Sequence, residues 1–180
     1  MEPADKQASP FWWFSLKLYA ERDFAGACLA LQDRHGVDVN VVLFLLWAAQ
    51  HGRRIEEDGV RAIVAAVDGW RQSVVTPLRT ARRFLRTPPA DVQAGPAATL
   101  RQRIQDAELE AERLQQEMLY RLFPIEPRSQ PEPFRDAFAS VNLKSYAAVL
   151  GTEFPASLSD TLLKVFLEYS RAQPDQAPGS

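Results

Sequence analysis

The chain has a single cysteine, Cys28, among its 180 residues, which rules out an internal disulfide framework and any zinc site built from several cysteines of one chain. It also lacks an apolar run long enough to cross a bilayer. The longest, Val41 to Ala49, falls far short of the roughly 18 residues required. There is no large excess of one charge sign: the formal net charge is −2, whereas binding a nucleic-acid backbone draws on a surplus of Lys and Arg on one face. Nucleic acid is therefore disfavoured as a partner. The period-two alternation that marks a half-buried strand is missing throughout. The expected fold is all-α, a single-domain helical bundle, because a chain of this length supplies one sizeable core rather than two.

The segment Met1-Glu2-Pro3-Ala4-Asp5-Lys6-Gln7 is acidic and polar where a secretory leader is basic and then apolar, so a cytoplasmic location is expected. Residues 1–8 are mostly small, polar or charged, 173–180 carry no large apolar side chains, and both ends are expected to be disordered. The helical domain should span 9–172, with proline-rich loops at about 87–97 and 124–133.

Within that domain, Ser9 as N-cap and Pro10 at the first helical position predict a helix start. The aromatic run Phe11-Trp12-Trp13-Phe14 follows it and must pack on two sides. Asp23 is expected to cap a second helix that stops at Gly36. A third runs from about Asp38 to Gly52 and is apolar on every face, the pattern of a central helix surrounded by others. Ile63, Val67, Trp70, Val74, Leu78, Ala81 and Leu85 form a near-heptad series crossed by Pro77, which predicts a kink or break between Ser73 and Pro77. Leu100, Ile104, Ala107, Ala111, Leu114 and Met118 form a second seam. Together the two predict a long antiparallel coiled-coil-like hairpin, with Leu85 near Leu100 and Val74 near Ala111. Beyond it, short helices are expected around 134–138 and 142–150, and a last helix near Ser157, with Asp160 completing a capping box.

Two groups of residues are candidates for function. Gln32, Asp33, Asp38 and Asn40 gather polar oxygens beside the most apolar helix, and an apolar pocket among Trp12, Tyr19, Trp47 and Trp70 would make them the edge of a ligand site. The structural alternative is that Asp38 caps a helix, Gly36 reverses the chain and Gln32 satisfies backbone groups. Arg71, Arg79, Arg82 and Arg83 occur with no acidic residue between Asp68 and Asp91, while the facing segment carries Glu108 and Glu112 among other acids. Paired salt bridges flanking the hairpin are the leading reading, and a free arginine face for phosphate or an acidic partner is the functional one. Cys28 and His35 lie seven residues apart on one helix, roughly 10 Å along its axis, too far for a nucleophile and its base. His51, at a helix carboxyl end, should gain from the helix dipole when charged. Glu108 and Glu112 lack the Glu-x-x-His partners of a di-iron bundle. No metal or cofactor is called for.

The pattern Phe11-Trp12-x-Phe14-Ser15-Leu16-x-x-Tyr19, followed by Ala27-Cys28-Leu29-x-Leu31-Gln32-Asp33-x-x-Gly36-x-Asp38-Val39-Asn40-x-x-Leu43-Phe44, resembles a family of small proteobacterial proteins catalogued as a domain of unknown function. The resemblance covers roughly Pro10 to Leu122. It implies a cytoplasmic bacterial protein and brings no catalytic residue with it. The expected function is accordingly a non-enzymatic helical protein that engages another protein or a second copy of itself. The alternative is a small-molecule binder or enzyme with a pocket beside residues 32–40, for a lipophilic or phosphate-bearing ligand.

Overall fold

A computed structural model describes residues 8–126 and 132–172. The ends expected to be disordered lie outside the described residues, apart from Ala8. The described residues form an all-α, single-domain bundle: α1 Pro10–Ala20, α2 Arg22–His35, α3 Val39–Gln50, α4 Glu57–Trp70, α5 Thr76–Phe84, α6 Ala94–Leu122, α7 Glu132–Val149 and α8 Ala156–Ala172. No helix among them is long and apolar enough to cross a membrane.

α1 begins where Ser9 and Pro10 predict. Ser9 Oγ accepts the Trp12 amide at 3.2 Å, and the Ser9 amide donates to Glu117 Oε1 at 2.8 Å, which ties the start of α1 to α6. Phe11, Trp12 and Phe14 are buried and Trp13 is exposed, so the aromatic run does pack on more than one side. α2 starts earlier than Asp23 suggests. Glu21 occupies its N-cap without a side-chain bond, and Asp23 lies in the first turn. At the other end Gly36 adopts φ 65°, the left-handed stop that a residue with a Cβ rarely accepts.

α3 is the central helix. Every residue from Asn40 to Ala49 is buried, and the helix packs on α1, α2, α6 and α7. Buried Phe11, Phe24, Phe44, Leu119, Tyr146 and Phe166 bring six segments of the chain to this one core. Polar side chains tie its surroundings together. Asn142 of α7 is fully buried: its Nδ2 donates to the carbonyls of Leu45 and Arg53 at 3.0 and 3.1 Å, and its Oδ1 accepts the Ile55 amide at 2.7 Å. Tyr146, one turn on, accepts the Asp38 amide at 2.9 Å.

Pro77 does not break its helix. The backbone stays helical from Glu57 to Phe84, passing through a π-helical turn at Arg71–Val75 in which the Thr76 amide reaches back to the Arg71 carbonyl. An α-helical turn would press the proline ring on the Ser73 carbonyl, and the wider turn takes up that clash. The hairpin that follows is antiparallel. Trp70 Nε1 donates to the Ala111 carbonyl at 2.9 Å and Arg79 Nε to Glu108 Oε1 at 2.9 Å, close to the expected register.

Its seam differs from the expected one. Leu100, Ala107 and Leu114 are exposed, and the buried face of α6 is instead Ala97, Glu108, Ala111, Gln115, Gln116 and Leu119. A count of apolar positions misses this face because several of its buried side chains are polar and satisfied by other helices. α7 is one helix rather than the two expected, since no Pro or Gly interrupts Phe134 to Leu150. α8 starts at Ala156, so Ser157 sits inside the first turn and not at the cap.

His51 also departs from expectation. Its ring stacks on Trp47 with centroids 4.0 Å apart. Burial, aided by the charges of Arg135 and Arg53, lowers its pKa from 6.5 to about 4 and outweighs the helix dipole, so it is neutral at pH 7. Between those values the unfolded chain takes up a proton that the folded chain refuses. The stability that the neutral ring supports is therefore complete above 6.5 and lost as pH falls towards 4. For a half-buried ring the loss should be about 1–2 kcal/mol. Urea unfolding at neutral and mildly acidic pH checks this: His51→Asn should flatten the pH dependence, and an unchanged slope would refute the assignment.

Candidate functional site

The two groups of residues singled out in the sequence meet in one place. A cleft of about 360 Å³ opens between α1, α2, α3, α5 and α6. From the first group it takes Trp12, Tyr19, Gln32 and Asn40, and from the second Arg79, Arg82, Glu108 and Glu112. α1 delivers Trp12, Ser15 and Tyr19 at helical spacing on one face, and α6 delivers Glu108, Glu112 and Gln116 one turn apart. Leu16, Tyr19, Leu29 and Leu109 form a partly exposed apolar rim.

The floor is ionic. Glu108, only 5 % exposed, receives Arg79 and both Nε and Nη2 of Arg82, while Arg79 also reaches Glu112. Burial opposes the charge on Glu108, but its hydrogen bonds and ion pairs with Arg82 and Arg79 outweigh that and hold its pKa below the ordinary carboxyl value. Glu112 goes the other way. Burial raises its pKa, Glu108 and Asp38 add to the rise, and Arg79 only partly offsets it. Burial alone would lower the pKa of Arg79, yet Glu108 and Glu112 together push it up. Tyr19, desolvated beside them, is pushed up to about 12 and stays a neutral phenol.

The remaining candidates lie elsewhere. Asp38 caps α3 through its bond to the Asn40 amide at 2.9 Å and takes Arg71 at 3.7 Å, and Arg71 also donates to the Gly36 carbonyl at 2.7 Å. The 36–38 turn is thus a capping device held from α2, α3 and the π turn. Asp33 is exposed and pairs with Arg83 at 2.6 Å. Trp47, two turns along α3 from Asn40, packs outside the cleft against Phe11, Phe14 and His51. Trp70 fastens the hairpin through Ala111. Cys28 is buried and its thiol is pushed far up by desolvation, which keeps it protonated and unreactive. Among the described residues no three His, Cys, Asp or Glu side chains gather closely enough to hold a metal ion.

Two residues of the cleft went unnoticed in the sequence. Ser15 Oγ and Gln116 Oε1 are buried side-chain atoms without a hydrogen-bond partner, and both residues line the cleft. Gln116 occupies no apolar seam position and Ser15 is one polar residue in an aromatic run. Only the packing of α1 on α6 makes them neighbours of one cavity.

No curated protein and no solved structure matches the chain. The family model described as a protein of unknown function, DUF2390, matches residues 10–119. That stretch runs from the start of α1 nearly to the end of α6 and contains every residue that lines the cleft. The chain belongs to the DUF2390 family of proteins of unknown function.

Proposed function

We propose that the chain is a non-enzymatic binding protein that holds a small amphipathic molecule in this cleft. The observation that carries the reading is the convergence of an apolar rim, an internally neutralised ionic floor and two partnerless buried polar atoms on one cavity. Its volume, about 360 Å³, lies at the small end of the range for ligand pockets, which favours a compact ligand. The pairing of Arg79 and Arg82 with Glu108 argues against the phosphate-bearing ligand, because phosphate has to displace a buried carboxylate to reach either guanidinium.

The interaction reading draws its support from another part of the hairpin. Phe84 is 63 % exposed and Leu100 is 48 % exposed near the α5–α6 connection. Such residues at the end of a helical pair suit self-association through the tip. The arginines themselves lend that reading less, since Arg71, Arg79, Arg82 and Arg83 all have partners within the chain.

Native mass spectrometry of gently purified protein tests both. Retained ligand should appear as a reproducible small mass excess, and Gln105→Trp, which places an indole at the cleft, should remove it. A clean apo mass in both proteins would sink the ligand reading. In the same spectra a dimer that Leu100→Asp dissolves would establish the tip as the interface.

A further inference from the structure

The polar wall of the cleft has a direction. The Asp38 carboxylate offers only acceptors: Oδ1 takes the Asn40 amide at 2.9 Å, and Oδ2 takes Gln115 Nε2 at 2.5 Å. Gln115 then has its oxygen for Asn40 Nδ2, at 3.2 Å. Asn40 in turn offers its oxygen to Gln116 Nε2, at 2.8 Å. Each amide is locked in this orientation, because turning any one of them sets oxygen against oxygen, or N–H against N–H, at its neighbours. The chain of bonds ends on Gln116 Oε1, the acceptor left without a partner on a residue that is 3 % exposed and lines the cleft.

Buried acceptors are rarely left unmet, and this oxygen is closed off from solvent, so it fits a donor brought by a ligand that parts the side chains covering it. Two more acceptors accompany it. Ser15 Oγ is the other partnerless atom of the cleft wall. Glu112, one turn before Gln116, meets Arg79 through Oε1, which leaves Oε2 for a ligand. Trp12 and Tyr19 add aromatic rings, the surroundings in which organic cations are held. The arginines do not repel a cation as a pair of bare charges would, because Glu108 and Glu112 match them charge for charge.

We propose that the cleft selects a primary ammonium group on a short apolar body, its three N–H donors meeting Gln116 Oε1, Ser15 Oγ and Glu112 Oε2. The inference rests on the cleft being the ligand site, and Asp38 acts in it as a positioning residue at the far end of the bond chain.

Calorimetric titration with n-hexylamine, n-hexanoate and n-hexanol separates the two ideas. The amine should bind at least about tenfold more tightly than either analogue, because hexanoate brings no donor at neutral pH and the single O–H of hexanol leaves two of the three acceptors bare. Asp38→Asn keeps a good helix cap but allows every amide in the series to reverse, so that Gln116 presents Nε2; the preference should then shift towards hexanoate. Gln116→Met, close in volume, should cost the amine about tenfold and narrow its margin over hexanoate, which uses no acceptor, and so keeps the idea testable if the first variant folds poorly. Preference of the unaltered protein for hexanoate or hexanol would overturn the ammonium assignment and leave the cleft reading intact. Binding of none of the three would overturn both. Nα-acetyl-lysine methylamide, run alongside, distinguishes a free amine from the same head carried on a peptide: weaker binding than hexylamine supports the first, equal or tighter binding the second.

Discussion

Asn142→Leu should lower the stability of the fold by about 3 kcal/mol, although the substituted side chain is apolar, close in size and fully buried. The reason is the backbone that Asn142 serves. The Ile55 amide loses its acceptor, and the carbonyls of Leu45 and Arg53 lose a shared donor. The connection from α3 to α4 has left helical geometry at Arg53 and Ile55 and supplies no replacement partner for the Ile55 amide. Leucine gains transfer energy in exchange, but burying a backbone amide without a partner costs more. Urea unfolding followed by circular dichroism checks the figure. A midpoint shift corresponding to less than about 1 kcal/mol would show that Asn142 is a passenger in the α3–α7 contact.

Glu108→Ala is expected to cost a similar amount, about 3 kcal/mol or more, by a different route. Arg79 and Arg82 are mostly covered, with side-chain exposures of 16 % and 20 %, and Glu108 is the carboxylate they share. Its removal leaves Arg82 without its partner and Arg79 with Glu112 alone. Removal of Glu110, which pairs with Arg113 on the exposed side of the same helix, should change stability by only about 0.5 kcal/mol. Replacing Glu108, Arg79 and Arg82 together by Leu, Met and Leu should recover most of the loss, since a dry apolar contact avoids desolvating three charges. If the triple variant is no more stable than Glu108→Ala, the loss comes from packing and not from charge.

The parts of this fold that could be read from the sequence are those set by local chemistry. Ser9 with Pro10, Gly36 with Asp38, and the unbroken apolar run of α3 each specify their own conformation within a few residues, and each stands where the pattern puts it. The register of the hairpin was legible for the same reason, through repeated spacing. What resisted reading depends on partners far away in the chain. Gln115 and Gln116 look like surface residues of a charged helix until Asp38 and Asn40 arrive to bond them. A helix buried on every side, such as α3, gives no clue to which stretch of it borders a cavity, so Trp47 and Trp12 look equivalent although only Trp12 lines the cleft. The division of α7 into two pieces overstated how readily a helix stops where its sequence merely turns polar.

The π turn at Arg71–Val75 sets the rotational phase of everything after it. One residue more than an α-helix needs turns the following segment by about 100° about the axis. Arg79 and Arg82, three apart on α5, owe to that rotation their meeting with Glu108 across the hairpin, and so does the ionic floor of the cleft. The proline that forces the wide turn is not among the residues that line the cleft. It acts on them as a splice does on a cable, by fixing how far one length is wound relative to the next.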